Sequence, residues 1–245
     1  METKINFDAV SVILVRPKFH ENLGSVARAM KNMGFHRLVV VNGCSPLHMD
    51  AYRLASGAEE ILERAEEVPT LEEAISGMGC VAGMTSREGR GRGPFLTPEE
   101  LVKTLIPLSM KNGIGLVFGS EKDGLTNEEL SLCHLYVRIP SSKAFPSLNV
   151  AQAVMVICYE LLKGSVTVPR HAREMARVEH LEKMYQHLEH TLIKIGFLDT
   201  RHPKRIMKAL RSLFGRTQLD EREVRILQGI WSQVDWSVKK REEKE

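Results

Sequence analysis

The sequence predicts an α/β domain built on a mostly parallel sheet, followed by a small α-helical extension. Two observations carry the first part. Short apolar runs alternate with segments of helical spacing through the first 165 residues, and three of the runs are apolar on both faces, as strands inside a parallel sheet are. A third observation sets the boundary: beyond residue 173 only helical spacing remains. In order, the expected strands are VSVILV (Val10–Val15), LVVV (Leu38–Val41), CVAGM (Cys80–Met84), IGLVF (Ile114–Phe118) and LYVRI (Leu135–Ile139). Leu23, Val26, Ala27 and Met30 share one helical face, which predicts a helix over Leu23–Met33 with Gly34 as its stop. Further helices are expected over Leu71–Met78, Pro98–Leu105, and Val150–Lys163 behind Asn149.

The stretch GSVTVPRHAR (Gly164–Arg173) combines Gly, Pro and charge and reads as a linker. After it, Met175, Val178, Leu181, Tyr185, Leu188, Leu192 and Ile195 recur at steps of three and four, an amphipathic helix. A second helix, Pro203–Phe214, starts with Pro in a first-turn position. A third follows Asp220, with Glu223 completing a capping-box pattern, and carries Val224, Leu227, Ile230, Trp231 and Val234. The expected division is residues 1–165 and 174–238, with a frayed tail over Lys239–Glu245. Cutting after about Gly164 is expected to leave the α/β fold intact.

Composition narrows the functional classes. The chain has 245 residues, 43% hydrophobic and 27% charged, enough to bury a core and unlike a disordered segment. No window approaches the ~20 apolar residues of a membrane span, and METKINFDAV lacks the build of a signal peptide. Cys44, Cys80, Cys133 and Cys158 lie far apart, which argues against a disulfide framework or a structural zinc site and points to a cytoplasmic protein. The net charge is +3, but residues 170–245 hold 17 Lys and Arg against 12 Asp and Glu. Within Thr200–Gln218, Arg201, Lys204, Arg205, Lys208, Arg211 and Arg216 meet no acid. Such a stretch is either a solvated helix face or a contact for a polyanion.

Familiar nucleotide signatures fail. RPKFHENLG follows the first strand where a dinucleotide fold would carry G-x-G-x-x-G, and Gly77–Ala82, which fits that pattern, precedes a strand. GSEKDG (Gly119–Gly124) has P-loop glycine spacing, but Leu125 stands where the phosphate-binding Lys belongs. What remains is polar residues just beyond strand C-termini, where open α/β sheets bind ligands. Asn22, Gly24 and Arg28 follow the first strand. Gly119-Ser-Glu121-Lys-Asp-Gly124-Leu125 follows Ile114–Phe118, and Pro146-Ser147-Leu148-Asn149 leads into a helix. Singly, each has a plain structural reading: Asn149 as a helix cap, Glu121 as a loop acid, Arg28 as a surface helical residue.

Together the three segments resemble the motifs of the SPOUT superfamily of RNA methyltransferases, in its ribose 2′-O-methyltransferase branch: N-x5-R, F-G-x-E-x-x-G-L and S-L-N-V. Here they stand as Asn22 to Arg28, Phe118 to Leu125, and Ser147 to Val150, and the resemblance spans about residues 8–165. The helical extension also resembles that of bacterial tRNA (cytidine/uridine-2′-O)-methyltransferases acting on the anticodon loop. The resemblance implies S-adenosylmethionine as methyl donor, a C-terminal trefoil knot, a homodimer and a tRNA substrate, with no metal and no membrane. It implies a cofactor pocket lined by Met84, Thr85, Ser86, Gly119, Ile139, Pro146, Ser147 and Leu148, with Gly119 letting the backbone approach a flat adenine.

The same resemblance places Arg28, Asn22, Glu121, Ser147 and Asn149 in the catalytic site. An arginine base is costly, since neutralising a group of pKa near 13 at pH 7 takes roughly 8 kcal/mol. Either a neighbouring phosphate organises the site so that proton loss to Arg28 is concerted with methyl transfer, or Arg28 grips a phosphate bidentately and orients the ribose; Asn22 is expected to hold Arg28 or that phosphate, and Glu121 to orient the arginine. Ser147 and Asn149 are expected to order the cofactor and the substrate hydroxyl. RNA contact is expected from Arg87, Arg90 and Arg92 in SREGRGRG and from Arg201, Lys204, Arg205, Lys208 and Arg211. Neither element has interleaved aromatics for base stacking. His180, His187 and His190 read as surface histidines, and Trp231 and Trp236 as packing residues. Ribosomal RNA as substrate, or an RNA-binding protein without turnover, are the competing readings.

Overall fold

The computed structural model describes residues 4–86, 94–165, 174–199 and 204–242. A seven-stranded sheet forms the centre, composed of β1 (Val10–Val15), β2 (Arg37–Val41), β3 (Glu66–Val68), β4 (Cys80–Met84), β5 (Phe95–Leu96), β6 (Ile114–Phe118) and β7 (Leu135–Val137). Their order is β3-β2-β1-β6-β4-β7-β5, and every pairing is parallel. The expected α/β class is therefore the observed one. All six residues of β1 are buried, as are all five of β4 and of β6. Burying each such Val, Leu or Ile is worth about 1.5–3 kcal/mol, which is why these runs dominate the centre of the sheet.

Helices cover both faces. α1 (His20–Asn32), α2 (Met49–Ala55), α3 (Glu59–Glu63), α5 (Pro98–Ser109) and α7 (Val150–Gly164) share one core, with Leu23, Ala51, Ile61, Leu101 and Val154 among its residues. α4 (Leu71–Ile75) and α6 (Asn127–Ser131) cover the other face through Leu71, Ile75 and Leu130, joined by Leu125 of the preceding turn. From β1 the chain steps outward to β2 and β3, then crosses back so that β6 fills the place between β1 and β4. Crevices outside the strand C-termini at such a switch are where open parallel sheets hold ligands.

The extension comprises α8 (Val178–Lys194), α9 (Lys204–Thr217) and α10 (Glu221–Glu242) around a small core of Leu181, Met184, Leu188, Met207 and Val224. Its attachment is intimate. Val178 N–H donates to the Met78 carbonyl at 3.1 Å, and Met175 N–H donates to Asn112 Oδ1. Met78 and Asn112 precede β4 and β6, so the extension is anchored at the sheet end opposite the strand C-termini. Met175 and Val178 themselves belong to the two cores of the α/β domain. Cutting at Gly164 would remove both contacts, so the division at residue 165 leaves a small part of the α/β packing on the extension's side.

Other departures have local reasons. Helix α1 begins three residues before Leu23, and Asp220 and Glu223 form the expected reciprocal cap at 2.9 and 2.8 Å. The tail does not fray at Lys239, since α10 runs to Glu242. Trp231 packs against the extension core, but Trp236 is 53% exposed with Lys240 over its ring. His180 and His187 are not idle surface groups: they pair with Glu221 at 2.7 Å and Asp235 at 3.1 Å, joining α8 to α10. Cys80, Cys133 and Cys158 are free, and burial pushes their thiols up to about 12.

Candidate active site

A crevice opens at the C-terminal ends of β4, β6 and β7. Its walls include Met84, Thr85 and Ser86 after β4, Gly119 to Leu125 after β6, and Ile139, Pro146, Ser147 and Leu148 between β7 and α7. All eight residues expected to line a cofactor pocket thus share one cavity, together with Glu121. Phe118, Leu125, Val137 and Val150 add apolar wall, while Glu121 and Asp123 supply carboxylates.

Gly119 is required by the turn itself. A Cβ there would fall 2.1 Å from the Gly124 carbonyl carbon and 2.2 Å from the Leu125 nitrogen. The turn folds back on itself, closed by Gly124 N–H donating to the Ser120 carbonyl at 2.8 Å, and Gly124 takes φ +63°. The glycines serve the tight turn, and the turn forms the wall.

A chain of side chains joins the three sequence motifs at the mouth. Asn149 donates through Nδ2 to Asn22 Oδ1 at 3.0 Å, and Asn22 donates through Nδ2 to Glu121 Oε1 at 2.9 Å. Asn149 also caps α7, accepting from Ala151 N–H at 2.8 Å while Gln152 Oε1 accepts from Asn149 N–H. Glu121 accepts from Lys18 N–H at 3.0 Å and from Phe19 N–H at 3.4 Å. Phe19 is the N-cap residue of α1 and offers no capping side chain. The carboxylate of Glu121 therefore caps α1 from outside, where negative charge favours the helix start.

A second tie runs from the end of β1. Arg16 holds a left-handed backbone at φ 52°, pairs with Glu129 of α6, and donates to the Gly124 carbonyl at 3.2 Å. Lys18 Nζ lies 3.6 Å from Asp123. The loop before α1 and the turn after β6 are thus interlocked, so the cavity wall and the helix bearing Asn22 and Arg28 are positioned together. Sequence reasoning missed Arg16, because its partners lie more than a hundred residues away.

Arg28 departs from expectation. It is exposed, does not line the cavity, and has no hydrogen bond or ion pair with Glu121, Asn22 or any other described residue. It sits six residues from Asn22 on α1, about 9 Å along the axis at 1.5 Å per residue. Glu121 is committed to Asn22 and the backbone, so it does not orient the arginine. Ser147 is exposed on the cavity wall.

Of the expected RNA contacts, Arg87, Arg90, Arg92 and Arg201 lie outside the described residues. Lys204, Arg205 and Lys208 are exposed on α9. Arg211 is not available in the same way. It makes a two-pronged contact with Glu182 and stacks 4.5 Å from the Tyr185 ring centroid, holding α9 to α8. Among the described residues no group of three His, Cys, Asp or Glu could hold a metal ion.

Residues 9–159 match the SpoU rRNA Methylase family, and residues 179–245 match the C-terminal domain of the tRNA methyltransferase TrmJ. The tRNA (cytidine/uridine/adenosine-2′-O-)-methyltransferase TrmJ of Pseudomonas aeruginosa is 42% identical over 241 residues, covering 93% of this chain and 94% of that one. The crystal structure of TrmJ from Z. mobilis superimposes with a TM-score of 0.78 at 33% identity, over 92% of this chain and 98% of that one. The SpoU methyltransferase AviRb from Streptomyces viridochromogenes, solved with the cofactor AdoMet, shares the fold at TM-score 0.51 and 22% identity, over 66% of this chain and 61% of that one. The chain belongs to the SpoU methylase family and, within it, to the TrmJ methyltransferases.

Proposed function

We propose that the protein transfers a methyl group from S-adenosylmethionine to a ribose 2′-hydroxyl of tRNA, in the anticodon loop. The observation that carries this reading is the Asn149–Asn22–Glu121 chain, which brings all three motif segments to the mouth of one cavity. The cavity suits the donor. Its apolar side chains would hold a flat base, the backbone groups of its loops could bond the base edge, and the carboxylates of Glu121 and Asp123 would favour a ligand that carries sulfonium and ammonium charge. Family membership implies the trefoil knot that closes this end of the domain.

When bound, the donor supplies a methyl on a sulfonium sulfur that leaves neutral. The residues need only align a hydroxyl oxygen with that methyl and ease loss of its proton. Ser147 and Asn149 stand at the mouth to meet the incoming sugar. Asn22 and Glu121 fix the start of α1, and that helix presents Arg28. The free guanidinium of Arg28 serves a substrate phosphate, which it grips bidentately, and so orients the ribose. Lys204, Arg205 and Lys208, with the arginines of SREGRGRG and Arg201, guide the RNA by phosphate contact.

A homodimer fits the exposed face of α7, where Tyr159 is 48% exposed and Leu162 is also uncovered, beside half-buried Met155 and Val156. The two family matches support reading residues 1–165 as the methyltransferase domain and 174–238 as the RNA-binding extension. Among the described residues no helix is long and apolar enough to cross a membrane, and a tRNA substrate would place the enzyme in the cytoplasm. Incubation with labelled S-adenosylmethionine and separate pools of tRNA and ribosomal RNA tests the assignment. Label in tRNA is expected, and label confined to ribosomal RNA would overturn it. Arg28→Ala is expected to abolish transfer while calorimetric binding of S-adenosylmethionine changes little.

A further inference from the structure

The loops after β1 and β2 carry a group of rings that none of the roles above uses. Phe19 is 55% exposed, although its N–H is tied to Glu121. His20 stacks face to face on His48, with ring centroids 3.8 Å apart and planes at 12°. Backbone contacts fix both rings: His20 Nδ1 lies 3.1 Å from the Ser45 carbonyl, and His48 Nδ1 accepts from Asp50 N–H at 3.2 Å. Leu47 and Met49, flanking His48, are 58% and 86% exposed. Leaving this much apolar and aromatic surface in water at one place is unfavourable, and such patches mark contact sites.

Three features of the site select one occupant, an unpaired RNA base. First, the Glu121 carboxylate holds the backbone of Lys18 and Phe19 and the side chain of Asn22 at once, so Phe19 stands within one helical turn of the motif at the cavity mouth. Second, half-exposed Lys18, 3.6 Å from Asp123, precedes Phe19, and Arg28 is exposed further along the helix that Phe19 caps, so the element bearing the ring also carries positive charge for phosphates. Third, a ribose placed at the mouth leaves its strand's bases outside the cavity, where they need a face to lie on. Proteins that read unpaired RNA supply such faces from aromatic and imidazole rings.

We propose that Phe19, next in sequence to the stacked His20–His48 pair, is a platform on which an unpaired base of the substrate strand stacks. The proposal rests on the RNA-methyltransferase reading and adds where the substrate base is held. It places base stacking at the mouth of the crevice.

The test uses the full chain with Phe19→Ala, Phe19→Leu, Phe19→Tyr and His48→Ala. Binding of pooled, fluorescently labelled tRNA transcripts is followed by anisotropy, S-adenosylmethionine affinity by calorimetry, and assembly state by sedimentation. Phe19→Ala is expected to weaken tRNA binding roughly 5- to 150-fold, the range that corresponds to about 1–3 kcal/mol per stacked base. His48→Ala should weaken it by a smaller factor, Phe19→Tyr should restore it, and Phe19→Leu should not. S-adenosylmethionine affinity and assembly state should stay as in the parent. Unchanged tRNA affinity in Phe19→Ala, or full rescue by leucine, overturns the platform. A changed assembly state overturns it too, by making the patch a contact between copies. If the parent protein binds tRNA but transfers no methyl, the enzymatic reading falls, while the ratio of binding constants still decides the platform.

Discussion

Replacing Glu121 tests the interlock at the cavity mouth. Its carboxylate accepts three hydrogen bonds: from Lys18 N–H, Phe19 N–H and Asn22 Nδ2. Bonds to charged acceptors are worth about 1.5–3 kcal/mol, but the two backbone bonds are exposed, and about 1 kcal/mol each is the sounder figure. Glu121→Ala should therefore cost roughly 3 kcal/mol of positioning, or about a 150-fold fall in kcat/KM if all of it is expressed at the transition state. Glu121→Gln keeps one acceptor oxygen but turns an NH2 toward donors, so a fall of about fivefold to tenfold is expected. Methyl transfer to tRNA from labelled donor gives kcat/KM. A double-mutant cycle with Asn22→Ala should show coupling of about 1 kcal/mol, because the two residues share a bond. Strict additivity, or equal losses for Gln and Ala, would show that the carboxylate does not organise this turn.

Arg16→Met should weaken S-adenosylmethionine binding about fivefold to thirtyfold in calorimetry, by freeing the Gly124 carbonyl and removing the cation paired with Glu129; an unchanged affinity would contradict the clamp. Arg211→Ala should lower stability by about 1–3 kcal/mol in thermal melting, because it removes the Glu182 pair and the Tyr185 contact. Lys208→Ala should leave melting unchanged and reduce the salt slope of tRNA binding by about 0.7–0.9. His134 Nδ1 accepts from Val81 N–H at 2.9 Å, and burial lowers its pKa from 6.5 to about 4. The unfolded chain takes the proton first, so stability is full above about pH 6.5 and falls as pH drops toward 4. In denaturant unfolding His134→Asn, whose carbonyl can still accept from Val81, should lose up to about 3 kcal/mol less than the parent over that interval.

The central strands and the three polar turns were legible because their signals are local. Val10–Val15 and Ile114–Phe118 are continuous apolar runs, and the turns follow them directly. β3, with two glutamates in three residues, and β5, two residues long, carry no such pattern, since pairing at a sheet edge and not side-chain burial makes them strands. α2, α3 and α6 were missed because five to seven residues hold too little periodicity. Residue roles were harder to read than residue positions. The spacing that placed Glu121 beside the motif did not reveal that it caps α1. Nothing near Arg211 announces Glu182, 29 residues earlier on another helix. His20 and His48 likewise meet only because α1 and the loop after β2 converge at the same end of the sheet.

The nucleoside that the enzyme leaves behind reports its reaction most directly. Unmodified tRNA transcripts incubated with the parent protein and S-adenosylmethionine, then digested and mapped by mass spectrometry, should carry one methyl on a ribose 2′-oxygen in the anticodon loop, absent with Arg28→Ala. Methyl on a base, or no methylated nucleoside while both ligands bind, would contradict it.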